Sequence, residues 1–342
     1  METILFLSHT EQDGHLPRAG LEALGAAKEL AAALGAPLVA GLFGEVVAGA
    51  AEELAGAASR ALAVAGPDFG QARYATDAAA AEALARAAAA TLVVAPSTSR
   101  MARVVPGAAH RLGGRADTHA TSIAAQGGAP ALTRWFYRQR MEAAMRRAHR
   151  PWFVLLDPGC HAPFSGQGAA QPLESVAVEV GPALTRTRVS GIRAPRSDAQ
   201  TIRPDAKLLF VAGAGWTKKQ ADGKPHVDEA ASLILGFLEA SKASLGSSKS
   251  LVDQSGEGNA VLPFMSHLNQ VGQTGSTPRH PKGLATCCHG EEPHVVGWRF
   301  VNERRAVNLD ANCGWARGKA DVVYVADAFE VMAKVNALLA SK

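Results

Sequence analysis

With 342 residues, 47% of them hydrophobic and 19% charged, the chain is long enough for two ordinary domains and has the composition of a globular protein. A net charge of +4 dispersed along the sequence leaves no electrostatic footprint for nucleic acid, and four cysteines make no disulfide framework. No apolar run of about 18 residues occurs, so no membrane span is expected.

Met1-Glu2-Thr3 passes straight into Ile4-Leu5-Phe6-Leu7 with neither a basic leader region nor a cleavage site. A cytoplasmic bacterial protein is the expectation. Ile4 to Ser8 reads as a short buried strand. Leu21 to Leu34 carries apolar residues at helical spacing, with Lys28 and Glu29 outward, and Gly35 stops it. Pro37 to Phe43 is a second strand. The alanine-rich stretch Ala48 to Ala65 predicts a second helix, Ala78 to Ala90 a third, and Thr91 to Ala95 a strand ending at Pro96. Strands and helices alternating at this length imply a parallel sheet covered on both faces. Ligands in such sheets sit at the carboxyl ends of the strands.

Pro96-Ser97-Thr98-Ser99-Arg100 falls at such a strand end. Its hydroxyls and guanidinium suit phosphate, but the spaced glycines of a phosphate cradle are missing. Arg103 to His119 predicts a helix and a turn at Gly113-Gly114. Thr133 to Arg150 is the most basic stretch, with Arg134, Arg138, Arg140, Arg146, Arg147 and Arg150 against Glu142, interrupted by Trp135, Phe136 and Tyr137. Such a mixture serves either stacking on single-stranded nucleic acid or a subunit interface. Pro151 to Leu156 is a strand closed by Asp157-Pro158-Gly159. The proline-bearing, mixed-charge segment that follows sets the expected organisation. It consists of an N-terminal α/β domain over 1–189, a linker over 190–204 and a second domain over 205–342.

In the second half, Lys207 to Ala212 is a strong buried strand running into Gly213-Ala214-Gly215-Trp216. A strand, a glycine turn and a helix would aim backbone N–H groups at a ligand, although a lone Gly-x-Gly also serves as a tight turn. Asp228 to Ser241 predicts an amphipathic helix. The segment Gln254 to Asn269, ending near His267, reads as an irregular excursion. Gln270-Val271-Gly272-Gln273-Thr274-Gly275 then carries two glycines that let the backbone pass close to a flat ligand. Gln273 and Thr274 add an amide and a hydroxyl that both donate and accept. His294 can serve the same ring from another side. Arg305 to Leu309 and Val322 to Val325 are strands, and Ala328 to Leu339 is a closing helix. Cys287, Cys288 and His289, with His280, are soft ligand types. Adjacent cysteines chelate one ion poorly and no Cys-x-x-Cys occurs, so no metal is expected. Cys160 and Cys313 read as packed thiols.

Several of these segments, in this order, resemble the FAD-binding half of the electron-transfer flavoprotein alpha subunit family, of which the chain would be a divergent member. They are Ser244-Leu-Gly-Ser-Ser-Lys-Ser-Leu-Val-Asp253, Gln270 to Gly275, His294, Ala306-Val-Asn-Leu-Asp310 and Lys319-Ala-Asp321. The likeness is specific over 205–335 and looser over 1–180. It implies two mostly parallel α/β sheets flanked by helices, the second in a Rossmann-like domain that holds FAD. It also implies a heterodimer with a beta-type subunit, a dehydrogenase as electron donor and a quinone-linked acceptor. On this reading the protein is a redox carrier without catalytic residues of its own, and the basic stretch at 133–150 is a subunit interface.

By the same resemblance Gly213, Ala214, Gly215, Ser248, Lys249, Gln270, Val271, Gly272, Gln273, Thr274, His289, Gly290, His294, Asn308, Asp310 and Asp321 contact the cofactor. Thr274 would lie near the flavin N5, His294 at the pyrimidine carbonyl, and Asn308 and Asp321 at the adenosine end. The sequence departs from the family pattern at several points. Ala214 stands where the family turn carries an arginine over the ring, which implies a lower potential. Lys249 replaces an arginine, Asp157 replaces another, and Cys287-Cys288-His289-Gly290 replaces Gly-Ile-Ser-Gly. An NAD(P)-dependent oxidoreductase is the alternative, against which no Gly-x-Gly-x-x-Gly follows the first strand. A flavin-free scaffold subunit is a further one, favoured by the missing arginine.

Overall fold

The structure is a computed structural model that describes residues 2–136, 141–191, 202–203, 206–253, 260–271, 280–286, 301–313 and 320–341. The chain divides into two compact units, Met1–Arg193 and Ala194–Lys342. Both are α/β, with mostly parallel sheets flanked by helices.

In the first unit the most apolar segments become the central strands: β1 (Ile4–His9), β2 (Leu38–Gly44), β4 (Leu92–Pro96) and β8 (Trp152–Leu156), every residue of which is buried. Continuous apolar strands belong where both faces are covered. Ile4 and Phe6 point into a core with Ala23, Leu24 and Leu30 of α1 (Arg18–Leu34). Leu5 and Leu7 point the other way, against α4 (Tyr74–Ala87) and α5 (Ser99–Arg111). Alternate residues therefore feed two separate cores, as strand geometry requires. Helix α1 ends at Gly35 in the left-handed conformation, φ 58°, the form a C-terminal glycine adopts at least cost.

The nine described strands run in the order β7-β6-β5-β8-β4-β1-β2-β3-β9. One sequence expectation is corrected here. Ala48 to Ala65 is not one helix: α2 (Ala48–Glu53) stops, the chain turns at Gly56 with φ +69°, and β3 (Arg60–Ala65) pairs parallel to β2. Alanine has the best helix propensity, and here sheet pairing overrides it. After α5 and the turn expected at Gly113-Gly114 comes a stretch, up to Arg150, to which the sequence reading gives no strand. It forms β5 (Arg115–Gln126), parallel to β8, and then the antiparallel β6 (Ala129–Phe136) and β7 (Met141–Met145). Gly127 and Gly128, with φ +57° and +74°, make the two-residue turn from β5 to β6, since positive φ at both positions is what a tight hairpin demands. The short α3 (Pro67–Gly70) and β9 (Leu173–Ser175), on the far edge against β3, complete this unit.

In the second unit five strands, all parallel, run β11-β10-β12-β13-β14. They are β10 (Leu208–Ala212), β11 (Ser244–Ser247), β12 (Lys282–Thr286), β13 (Glu303–Asn308) and β14 (Val322–Val325). Helix α6 (Val227–Ser241) and α8 (Ala328–Ala340) cover one face, burying Ile234, Phe237 and Met332 against Phe210 and Leu245. The short α7 (Lys249–Asp253) follows β11. On the other face Leu209, Val211, Val271, Ala285 and Cys313 form a second cluster.

Candidate functional site

Chain order fixes where this sheet opens. From β10 the chain moves one way to β11, then crosses to β12 on the other side, so the carboxyl ends of β10 and β12 flank the topological switch point. Gly213, Ala214 and Gly215 follow β10 there. The chain enters a buried 3-10 turn, Ala214–Thr217, in place of the α-helix expected from sequence. Gly213 N donates to Thr286 O across the gap at 2.8 Å. Trp216, fully buried, donates from its indole to Thr286 Oγ1 at 2.9 Å and packs on Phe329 with ring centroids 4.6 Å apart. This end is thus lined by small residues and backbone held rigidly from behind.

The neighbouring strand end is polar and buried. Ser248 N donates to Ala212 O, and Ser248 Oγ accepts from Leu251 N, so this serine caps α7. Lys249 is exposed and pairs with Asp253 of the same helix at 3.5 Å. Gln270 is buried and bridges to Ser247. Val271 is a core residue whose side chain lies where a Cβ on Gly246 would be, 2.6 Å away. It packs there instead of facing a ligand. Ser247 was missed by sequence reasoning. Its hydroxyl is fully buried at the carboxyl end of β11 and has no hydrogen-bond partner among the described residues. A buried unpaired hydroxyl is costly and is the kind of atom a ligand satisfies.

Beyond β13 lies a shallow cleft of about 220 Å³, lined by Gln220, Val307, Asn308, Leu309, Asp327 and Phe329 among others. Asp327 Oδ1 accepts from Phe329 N and Glu330 N as the N-cap of α8. Its Oδ2 has no partner among the described residues. Asn308 is buried at the strand end. Asn308 and Asp321 are not brought together. Asp321 precedes β14 at the amino-terminal edge of the sheet, and its carboxylate accepts from Arg304 N at 2.7 Å and Arg304 Nη2 at 2.9 Å. That neighbour holds its carboxyl below the usual range. Asp310 accepts from Asn312 N within its own turn.

The expected contacts Gly272, Gln273, Thr274, His289, Gly290 and His294, with Cys287 and Cys288, lie outside the described residues. His267 is on the surface beside Asp253, and His280 is buried, its Nε2 bonded to Arg203 O. Neither meets a group of metal ligands among the described residues.

The first unit has its own switch point, between β1 and β4. There His9 Nε2 bonds Thr98 Oγ1 at 3.2 Å, and the buried Asp77 takes two bonds from Arg100, at 2.8 and 2.7 Å. Arg100 also donates to Phe69 O and stacks on Phe43. The Ser97–Arg100 loop therefore spends its arginine and its capping hydroxyl internally. In the basic stretch, buried Asp117 accepts from Arg134, Arg147 and the indole of Trp152, tying β5, β6 and β8 together. Part of that positive charge is structural.

A mostly parallel and an all-parallel sheet flanked by helices, the second with small residues and buried polar groups around its switch point, define a Rossmann-like class of protein. The chain matches the family model described as the electron transfer flavoprotein domain over residues 4–181, more than half its length, and it belongs to that family. The matched residues fall in the first unit, so the Gln270–Gly275 segment lies beyond them. The chain is also similar to the electron transfer flavoprotein subunit alpha of Clostridium acetobutylicum, 28% identical over 192 residues, which are 55% of this chain and 52% of that one. The chain thus spans about half the length of the curated relative it matches. No described helix is long and apolar enough to cross a membrane.

Proposed function

We propose that the chain is the flavin-holding, alpha-type subunit of an electron-transfer flavoprotein, with FAD at the carboxyl edge of its second sheet. The observation that carries this reading is the character of that edge. It combines a glycine turn at the switch point, a buried hydroxyl at Ser247 with no hydrogen-bond partner among the described residues, and a largely apolar cleft with Asn308 and Asp327 on its lining. These groups fit a dinucleotide cofactor. Small residues allow close backbone approach, and hydroxyl, amide and carboxylate match ribityl, ribose and amino groups. FAD, when bound, would supply the electron uptake and release. The chain's own residues bind and orient. Gly213 to Gly215 leave room beside the pyrophosphate or ring, Ser247 offers a hydrogen bond, and Asp327 Oδ2 with Asn308 receives the adenosine end. Thr274 and His294 keep the ring-contact roles that the resemblance gives them, as part of the same proposal.

Ala214 and the self-paired Lys249 leave this edge without the fixed arginine of the family pattern, which favours a lower potential. The reading extends to a heterodimer with a beta-type subunit. The basic β5–β7 ribbon would be an interface, a dehydrogenase the donor and a quinone-linked protein the acceptor, in a bacterial cytoplasm. Co-expression with a beta-type subunit followed by visible spectroscopy tests it. One yellow chromophore per heterodimer, released as FAD on denaturation, is the expected result. A colourless heterodimer that takes up no added FAD would leave only a scaffold role.

A further inference from the structure

The segment between the 3-10 turn and α6 is a small hairpin with features of its own. Lys219 and Pro225 form an antiparallel bridge. Gln220 N bonds Lys224 O, Gly223 turns at φ +78°, and Lys224 N bonds Asp222 Oδ1. Gln220 lines the Asn308–Asp327 cleft, and its amide holds Gly215 O at 3.0 Å and Lys218 O at 2.7 Å. At the base of the hairpin His226 sits between two carboxylates. Its Nε2 is 2.9 Å from Asp222 Oδ2 and its Nδ1 is 3.1 Å from Glu229 Oε2. Its ring also meets the edge of Phe329, another wall of the cleft, at 6.3 Å.

A neutral imidazole carries one N–H, so it can donate to only one carboxylate while its other nitrogen presents a lone pair to the second. Both contacts are attractive only when the ring is protonated. We infer that the 218–226 hairpin is a proton-latched strap on the cleft. Imidazolium at His226 ties the hairpin, through Asp222, to Glu229 of α6 and keeps Gln220 against the ligand end, and loss of that proton loosens it. The charged groups facing His226 are Asp222 from the hairpin and Glu229 from α6; α8 meets it with the Phe329 ring. Asp222 first, and then Glu229, hold the imidazole above its usual range, against a smaller opposing effect of burial. The latch is therefore closed below that raised value and opens as pH rises through it. The ligand consequence rests on the functional reading above. The latch itself does not.

Amide hydrogen exchange of residues 219–225 in the ligand-free full chain, corrected for intrinsic rate, reads the strap directly. Exposed ion pairs are individually weak, so an opening about fivefold greater at pH 8.5 than at pH 5.5 is expected. His226→Gln should be open at both pH values and Asp222→Asn should lose most of the dependence. No pH dependence in the unaltered chain, or one that His226→Gln retains, overturns the latch. With FAD as the probe, affinity should weaken over the same pH range in the unaltered chain only. Absence of FAD binding at every pH would count against the functional reading while the exchange result still decides the latch.

Discussion

The two units solve the same topological problem in opposite ways. Each sheet reverses its winding beside its first strand, and each reversal leaves a crevice at the carboxyl ends. In the first unit the crevice is filled from within. His9 reaches across to Thr98, and the buried Asp77–Arg100 pair lies behind it. In the second, the crossing is made by backbone and indole donors to one residue, Gly213 N to Thr286 O and Trp216 Nε1 to Thr286 Oγ1, with no charged pair among them. The difference teaches that sheet order fixes only where a ligand could go. Whether anything goes there depends on which side chains the strand ends carry.

The contrast breaks most visibly at Arg100. Arg100→Leu leaves the Asp77 carboxylate fully buried without its partner, and burial already pushes that carboxyl up against the pull of the arginine. Removing one member of a buried pair costs about 3–5 kcal/mol, and protonation of Asp77 keeps the loss near the lower figure. Denaturant unfolding should show this loss in the first unit, with flavin content per folded heterodimer unchanged. Reduced flavin content at unchanged stability would make the first crevice a site after all.

A smaller effect sharpens the other side of the comparison. Thr286→Val removes the acceptor for the Trp216 indole in a fully buried setting. An unsatisfied buried donor costs about 1–3 kcal/mol. The second unit should lose that much stability, and Trp216 emission should shift as its packing on Phe329 relaxes. Equal movement of both unfolding transitions would mean that the units do not unfold separately.

Much of the fold was legible because apolar strands and glycine stops are local signals. The buried runs at Ile4, Leu92 and Leu208 and the end of α1 at Gly35 needed no partner to be read. β3 was hidden because Arg60 to Ala65 is as alanine-rich as the helix before it, and only pairing with β2 makes it a strand. The β5–β7 ribbon carried a legible signal, Gly127-Gly128, that basic charge overshadowed. The motif drew attention to Asp321, which register puts at the amino-terminal end of β14. Asp327, six residues on, stands beside Asn308. Its sequence signal was the pattern of an N-cap, an aspartate opening an apolar helix with Glu330 in its first turn, and such a pattern does not announce a ligand contact. Ser247 lay inside the resembling Ser244–Asp253 segment without being singled out, since the lack of a partner among the described residues shows only in three dimensions.

The smallest expected effect contrasts the two edges by sign. His9 is buried, and desolvation pushes its imidazole below the usual range, with Arg100 adding to that and Thr10 O, Glu11 and Asp77 opposing it. The unfolded chain therefore takes up a proton near its ordinary pKa of about 6.5 that the folded first unit refuses. Stability of that unit should fall as pH drops below this value, by at most about 1.4 kcal/mol per pH unit for one proton. His226 works the other way, because its folded-state pKa is raised and its contacts are complete at low pH and lost at high pH. Between pH 7 and pH 5 the first unit should soften while the strap on the second tightens. Unfolding midpoints followed at the two pH values, with His9→Gln and His226→Gln as separate controls, test the opposition. His9→Gln should flatten the first trend alone. If both units move in the same direction, the filled crevice and the lined one do not differ in the way their histidines imply.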